Sequence, residues 1–167
     1  MPVNRRTLLA SAAALGACLL SPRLFGAAAA PSRFPLTLTD AQWRARLTPA
    51  AYDVLRQEGT EAPGSSALLN EHRRGSFVCA GCALLVYDSR TKFESGTGWP
   101  SFYAAFLHAT QTRTDTSLMM ERVEEHCARC GGHLGHIFND GPPPTGKRHC
   151  INGVALAFHP LTRSTHA

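Results

Sequence analysis

A chain of 167 residues holds one domain with a core of its own and hardly two. Its 44% hydrophobic and 17% charged content is that of a globular protein and excludes a disordered one. Of the formal charge of +5, three positives (Arg5, Arg6 and Arg23) fall in an acid-free leader, leaving 14 basic and 12 acidic groups from residue 31 onward, a net of +2. That is too weak for a nucleic-acid-binding protein, which needs a clustered basic stripe.

Residues 1–30 open with Asn4-Arg5-Arg6-Thr7-Leu8-Leu9, continue through an apolar stretch from Leu8 to Leu20, and end in Ala27-Ala28-Ala29-Ala30. Basic, then apolar, then small is the order of a secretory signal. The adjacent arginines followed by Leu-Leu resemble a bacterial twin-arginine signal. The apolar stretch is short of the roughly 20 residues that span a bilayer, so no membrane span is expected. Leu15-Gly16-Ala17-Cys18 resembles a lipoprotein cleavage box, which makes a lipid anchor at Cys18 the alternative to ordinary cleavage near Ala30. The expected organisation is a twin-arginine signal peptide over 1–30 and one domain over 31–167. The mature protein would be periplasmic or otherwise exported, or else a membrane-anchored lipoprotein. The twin-arginine route exports folded proteins, so a metal site could form before export.

Pro31 to Leu38 reads as an extended lead-in. Thr39 or Asp40 can cap a short helix through Trp43 and Leu47. Thr48-Pro49 starts a second, with Tyr52 and Leu55 on one face. Gly59 to Ser66 is a polar loop. From Ser76 onward come short apolar runs broken by turn residues: Phe77-Val78, Leu84 to Tyr87, Leu118 to Met120, Leu134 to Phe138 and Val154 to Phe158. These predict a small, mainly antiparallel β core with helices only at the front. Gly141 to Gly146, rich in proline, is a rigid loop leading to Cys150.

Cys79-Ala80-Gly81-Cys82 and Cys127-Ala128-Arg129-Cys130 each place two sulfurs on one tight turn, with 44 residues between the pairs. Two such turns can supply the four thiolates of a closed, tetrahedral structural zinc site. Gly131-Gly132 gives the second turn backbone freedom. Two disulfides, or a redox-active pair, are the competing readings.

Cys150 stands alone, in Arg148-His149-Cys150-Ile151-Asn152, just after His133-Leu134-Gly135-His136. On a strand, Arg148, Cys150 and Asn152 share a face. A neighbouring cation favours the reactive thiolate, and an imidazole can give a proton to a departing oxygen. A lone cysteine is also commonly a small buried hydrophobe, and a histidine pair is often structural. Spacing alone leaves both readings open, and Trp99 can equally be core filler.

Four segments together resemble the B-type methionine sulfoxide reductases: the two cysteine turns, Lys92 to Phe102 with its Gly98-Trp99-Pro100, His133 to Phe138, and Arg148 to Asn152. Order and spacing match over about residues 40 to 160. The resemblance implies a fold of two small antiparallel sheets, β-tent-like, with one structural Zn2+ on Cys79, Cys82, Cys127 and Cys130. It implies thiol-dependent reduction of methionine-R-sulfoxide, free or in oxidised proteins. Cys150 would be the nucleophile, passing through a sulfenic acid, and His133 and His136 would protonate the sulfoxide oxygen. Arg148 and Asn152 would tune and orient the thiol, and Trp99 would wall the methyl group. Thioredoxin-like or other thiol reductants become the expected partners. Many members carry a resolving cysteine where this chain has Thr97, so an outside thiol is expected to reduce Cys150 directly. His149 is given no role, and Phe102, Phe106 and Phe138 are assigned to the core. A non-enzymatic zinc module of the same architecture and a cysteine hydrolase are the competing functions. The first does not account for Arg148, Cys150, Asn152 and both histidines. The second lacks an oxyanion motif.

Overall fold

The computed structural model describes residues 34–161. The chain runs α1 (Asp40–Arg46), α2 (Pro49–Gln57), β1 (Gly75–Cys79), β2 (Leu85–Asp88), β3 (Lys92–Phe93), β4 (Ser101–Phe102), β5 (Thr110–Asp115), β6 (Arg122–Cys127), β7 (His133–Phe138), β8 (Arg148–Ile151) and β9 (Leu156–Pro160), with short 3-10 turns between. The expected leader, with Cys18, and residues 31–33 of the lead-in lie outside the described residues.

Both helices begin where a side chain satisfies the free N–H groups of the first turn. Thr39 Oγ1 accepts from the Gln42 N–H at 3.3 Å while the Thr39 N–H donates to Gln42 Oε1 at 2.8 Å, a reciprocal capping box. Thr48 accepts from the Ala51 N–H at 3.2 Å, and Pro49 occupies the first turn, where no N–H is needed. The buried stripe is Trp43 on α1 and Ala51, Tyr52, Val54 and Leu55 on α2.

All strand pairings are antiparallel and make two sheets, in the orders β2-β1-β9 and β3-β4-β8-β7-β6-β5. Their apolar faces share one core built on Phe77, Val86, Tyr87, Phe102, Leu134 and Ile151, all fully buried. Tyr87 stacks on Phe102 at 4.2 Å, and Phe77 meets the same ring edge-on at 4.9 Å. Each such side chain contributes about 1.5–3 kcal/mol by leaving water.

The mainly β fold with its helices in front is as expected; three details differ. The apolar run Leu118 to Met120 is not a strand: Ser117–Met119 is a 3-10 turn at the tip of the β5–β6 hairpin, with Met119 exposed at φ 57. The hairpin strands had little apolar signal, because β5 reads TQTRTD and most of it faces solvent; its hydrogen bonds to β6 hold it in place. The last strand starts at Leu156, since Gly153–Ala155 forms a 3-10 turn.

Cys79 ends β1 in one sheet and Cys127 ends β6 in the other, and each is followed by a tight turn that returns a second sulfur. The four Sγ atoms of Cys79, Cys82, Cys127 and Cys130 lie within 4.8 Å of one another, all buried. Gly131 takes φ 67 after the second turn, and a Cβ there would collide with the Phe34 ring at 2.3 Å. Gly132 is needed for space instead: a Cβ would stand 2.8 Å from Leu55 of α2.

Candidate active site

The site is assembled on β7 and β8. Residues three apart on a regular strand face opposite ways, so His133 and His136 would be separated by the sheet. A bulge prevents this. Opposite β6, His136 pairs with Glu124 and His133 with His126, an advance of two residues on β6 for three on β7. Both imidazoles therefore emerge on one face, ring centroids 5.4 Å apart. Across the other edge of β7, His136 pairs with Cys150. Gly135 permits this approach, since a Cβ would lie 2.0 Å from the Cys150 carbonyl oxygen.

Cys150 is half-buried at the wall of a cavity of about 130 Å³ shared with Trp99, His136, Phe138 and Asn152, with Thr60 and Arg122 at its margin. That is well below the roughly 300–1,000 Å³ of a drug-sized ligand site and suits the end of a side chain. The indole N–H of Trp99 donates to the Glu61 carbonyl at 3.0 Å. Asn152 accepts from the Glu61 N–H at 3.0 Å and donates to the Leu134 carbonyl at 3.1 Å. The loop over 59–66, expected only as a connector, thus braces both residues. Its Glu61 carboxylate caps the turn after β8 by accepting from the Gly153 and Val154 N–H groups.

Arg148 is buried and held by Asp140 in a two-point pair at 2.9 and 2.8 Å, its guanidinium 4.4 Å from the Phe138 ring centroid. The pair holds the Asp140 carboxyl below its ordinary range. Thr97 Oγ1 lies 3.9 Å from Cys150 Sγ and 2.9 Å from Ser95 Oγ, which in turn is 2.7 Å from Ser101 Oγ. Burial pushes the Cys150 thiol above its usual value, and Thr97 and the Arg148 charge oppose this only in part. Arg148 thus favours the thiolate, as its place beside Cys150 in the sequence suggested, but its influence is smaller than that of burial.

Each histidine has a carboxylate behind it that spacing gave no reason to expect. His133 Nδ1 is 2.7 Å from Glu124 Oε1, and His136 Nε2 is 2.8 Å from Asp115 Oδ2. His133 does not reach the Cys150 cavity; it lines a neighbouring one of about 210 Å³ with Arg113 and Glu124. Phe138, assigned to the core, is instead a wall of the Cys150 cavity, and Phe106 is only half-buried. His149 points to the other face, where Nδ1 meets the fully buried Glu125 at 2.8 and 2.9 Å, so it stays outside the site.

In the sulfur cluster, Cys79 and Cys130 stand 3.7 Å apart and Cys82 and Cys127 3.4 Å, far beyond the roughly 2.05 Å of a disulfide. Four ligands about 2.3 Å from a shared tetrahedral ion are about 3.8 Å apart, so the donors suit a metal ion. The crowd of sulfurs raises the affinity of Cys79 and Cys130 for their protons while lowering that of Cys82 and Cys127. Without a cation all four cannot ionise together.

The fold and site define a small β domain with two sheets tied at a four-cysteine cluster and one thiol in a histidine-walled cavity. The sequence profile described as the SelR domain matches residues 47–160. A "Peptide methionine sulfoxide reductase MsrB" of Thiobacillus denitrificans is 52% identical over 123 residues, covering 73% of this chain and 93% of that protein. Proteins of the same name from Methanosarcina barkeri and Leptospira interrogans are 51% and 47% identical, covering 72% and 75% of this chain and 85% and 96% of their own lengths. The chain belongs to the SelR-domain, methionine sulfoxide reductase B family.

Because burial opposes ionisation of Cys150 more than Arg148 favours it, alkylation of Cys150 by iodoacetamide, read by mass spectrometry, should rise steadily from pH 7 to beyond pH 8. Arg148→Leu should slow it further by removing a charge that favours the thiolate. A plateau below pH 8 would contradict the burial argument.

Proposed function

We propose that this chain is an exported, zinc-stabilised oxidoreductase that reduces methionine-R-sulfoxide, chiefly in oxidised proteins, to methionine. The observation that carries the reading is the Cys150 thiol opening, between Trp99, His136 and Asn152, onto a cavity the size of a side-chain end. Separate enzymes serve the two sulfoxide epimers, and the B-type family supports the R form.

Cys150 Sγ, as thiolate, attacks the sulfoxide sulfur, and His136, with His133 packed edge-on against it, supplies a proton to the sulfoxide oxygen. The S–O bond then breaks as the hydroxyl passes to Sγ. The substrate sulfur gains two electrons and leaves as methionine; Cys150 loses two and remains as a sulfenic acid. Trp99 packs on the methyl group and Asn152 holds the floor of the cavity. Arg148, fixed by Asp140, partly offsets the burial of the thiolate. Thr97 offers a hydroxyl beside Cys150, and the other described cysteines belong to the cluster. An external thiol, thioredoxin-like or smaller, therefore reduces the sulfenic acid. Cys79, Cys82, Cys127 and Cys130 hold one zinc ion, which supplies a structural cross-link and no open coordination position. Residues 1–30 act as a twin-arginine signal, delivering the folded domain of residues 31–167 to the periplasm. Among the described residues no helix is long and apolar enough to cross a membrane.

Residues 31–167 with dithiothreitol should turn over the R epimer of a peptide methionine sulfoxide and leave the S epimer. One equivalent of sulfoxide without reductant should leave Cys150 one oxygen heavier and free of any internal disulfide. Reduction of neither epimer by the folded protein would point to a binding module instead. Metal analysis should find about one zinc per chain, and Cys127→Ser should lose both the metal and cooperative thermal unfolding, as expected of a structural site. Replacing Arg5 and Arg6 by lysine should retain the full-length protein in the cytoplasm; undiminished export would refute the twin-arginine reading.

A further inference from the structure

Cys150 must lose a proton before it attacks, and the sulfoxide oxygen must gain one. A single group that accepts the first and delivers the second would complete the step without solvent. His136 faces Cys150 directly across the β7–β8 ladder and lines the same cavity. Side chains so paired have Cβ atoms about 4.5–5.5 Å apart, within reach of an imidazole.

Which ring nitrogen is available is set by Asp115, at the end of β5. Its Oδ2 lies 2.8 Å from His136 Nε2 and accepts from Arg122 Nη2 at 2.7 Å, while its Oδ1 accepts from the Ser117 N–H at 2.8 Å. Those two donors and the histidine hold its carboxyl ionised, well below the usual range. An ionised carboxylate only accepts hydrogen bonds. His136 therefore carries its proton on Nε2, and the nitrogen left for the cavity is Nδ1, with a lone pair. His133 is held through the opposite nitrogen, by Glu124, and stands outside that cavity. The two histidines are not equivalent.

We propose that Asp115 is a positioning residue for the reaction: it locks His136 in the Nε2–H tautomer, so that His136 Nδ1 takes the proton of Cys150 Sγ and returns it to the sulfoxide oxygen. The inference rests on the reductase reading above. The Sγ–H bond breaks as Nδ1–H forms, and the thiolate attacks sulfur. The imidazolium, facing the Asp115 carboxylate, gives its proton to the oxygen, and the hydroxyl so formed passes to Sγ. His136 ends neutral, and no outside proton is consumed. Burial favours this starting state, since it pushes the Cys150 thiol up and the His136 imidazole down. The same logic governs the Ser-His-Asp triad, where replacing the aspartate by asparagine preserves the geometry but installs the wrong tautomer and lowers kcat about 10⁴-fold.

The test is Asp115→Asn with 15N-labelled histidine. The variant is made together with Arg122→Leu, with Arg122→Leu alone as control, because Arg122 Nη2 would otherwise hold the amide oxygen at the Oδ2 position. The asparagine Oδ1 then still accepts from the Ser117 N–H and its amide donates to His136 Nε2, which must carry the lone pair. Nitrogen shifts should show protonated Nε2 on His136 in the wild type and protonated Nδ1 in the variant. The kcat for methionine-R-sulfoxide should fall about 100-fold or more while KM stays within about threefold. A residue that merely braces the hairpin turn would not switch the tautomer. Protonated Nδ1 in the wild type would overturn the proposal by itself, and that measurement decides the matter should the variant not fold. Wild-type kcat in a variant whose tautomer has switched would overturn it equally. Absence of turnover by the wild type would remove the reductase reading itself, whereas an unchanged tautomer with turnover intact would remove only the role of Asp115.

Discussion

The sulfur cluster is where the two sheets become one domain. Cys79 closes β1 of the three-stranded sheet and Cys127 closes β6 of the six-stranded sheet, and the turns after them bring Cys82 and Cys130 into the same cluster. The helices pack onto it: Leu55 of α2 lies against Gly132, and Trp43 of α1 against Gly81. Arg56 donates to the Cys130 carbonyl and Arg129 to the Cys82 carbonyl, which ties the turns to α2 and to each other. A domain of this size has a modest core, so a metal ion held by these four sulfurs would weigh heavily in its stability. The second turn also leads directly into β7, so the place of His133 and His136 depends on where those sulfurs sit.

From that anchor the site follows by strand pairing. The bulge on β7 turns both histidines to one face, Gly135 lets β8 approach, and the register sets Cys150 opposite His136 and beside Ser101 of β4. The loop over 59–66 closes the arrangement from outside, with Gly64 donating to the Gly98 carbonyl at 2.8 Å and Glu61 holding Trp99 and Asn152. The nucleophile therefore stands on a central strand, with partners from four segments of the chain. Rigid elements position a reactive group better than loops do.

The charges of the site come from elements with little apolar character. The β5–β6 hairpin contributes Asp115 and Glu124, one carboxylate behind each histidine, and the segment before the proline-rich loop contributes Asp140 behind Arg148. Arg113 links Glu124 outward to Glu58. These pairs orient and hold the functional side chains, while the burial of Cys150 opposes its ionisation more than the neighbouring cation favours it.

The helix caps at Thr39 and Thr48, the apolar strands around Phe77, Tyr87 and Leu134, the paired cysteine turns and the isolated Cys150 were legible because each rests on local chemistry: a side chain reaching its own backbone, a two-residue period, a fixed spacing of donors. The Gly98-Trp99-Pro100 segment and its companions carried the family resemblance in the same local way. What lay outside reach depends on partners far along the chain. Strand β5 has no apolar pattern and exists through its pairing with β6; the bulge is a mismatch between two strands and cannot be read from either. Asp115, Glu124 and Glu61 look like ordinary polar residues until the fold sets them against His136, His133 and Asn152. The ionisation of Cys150 divides in the same way: the sequence by itself determined that Arg148 is near and favours the thiolate, but only the tertiary structure decided how much water the thiol loses, and desolvation is the larger effect.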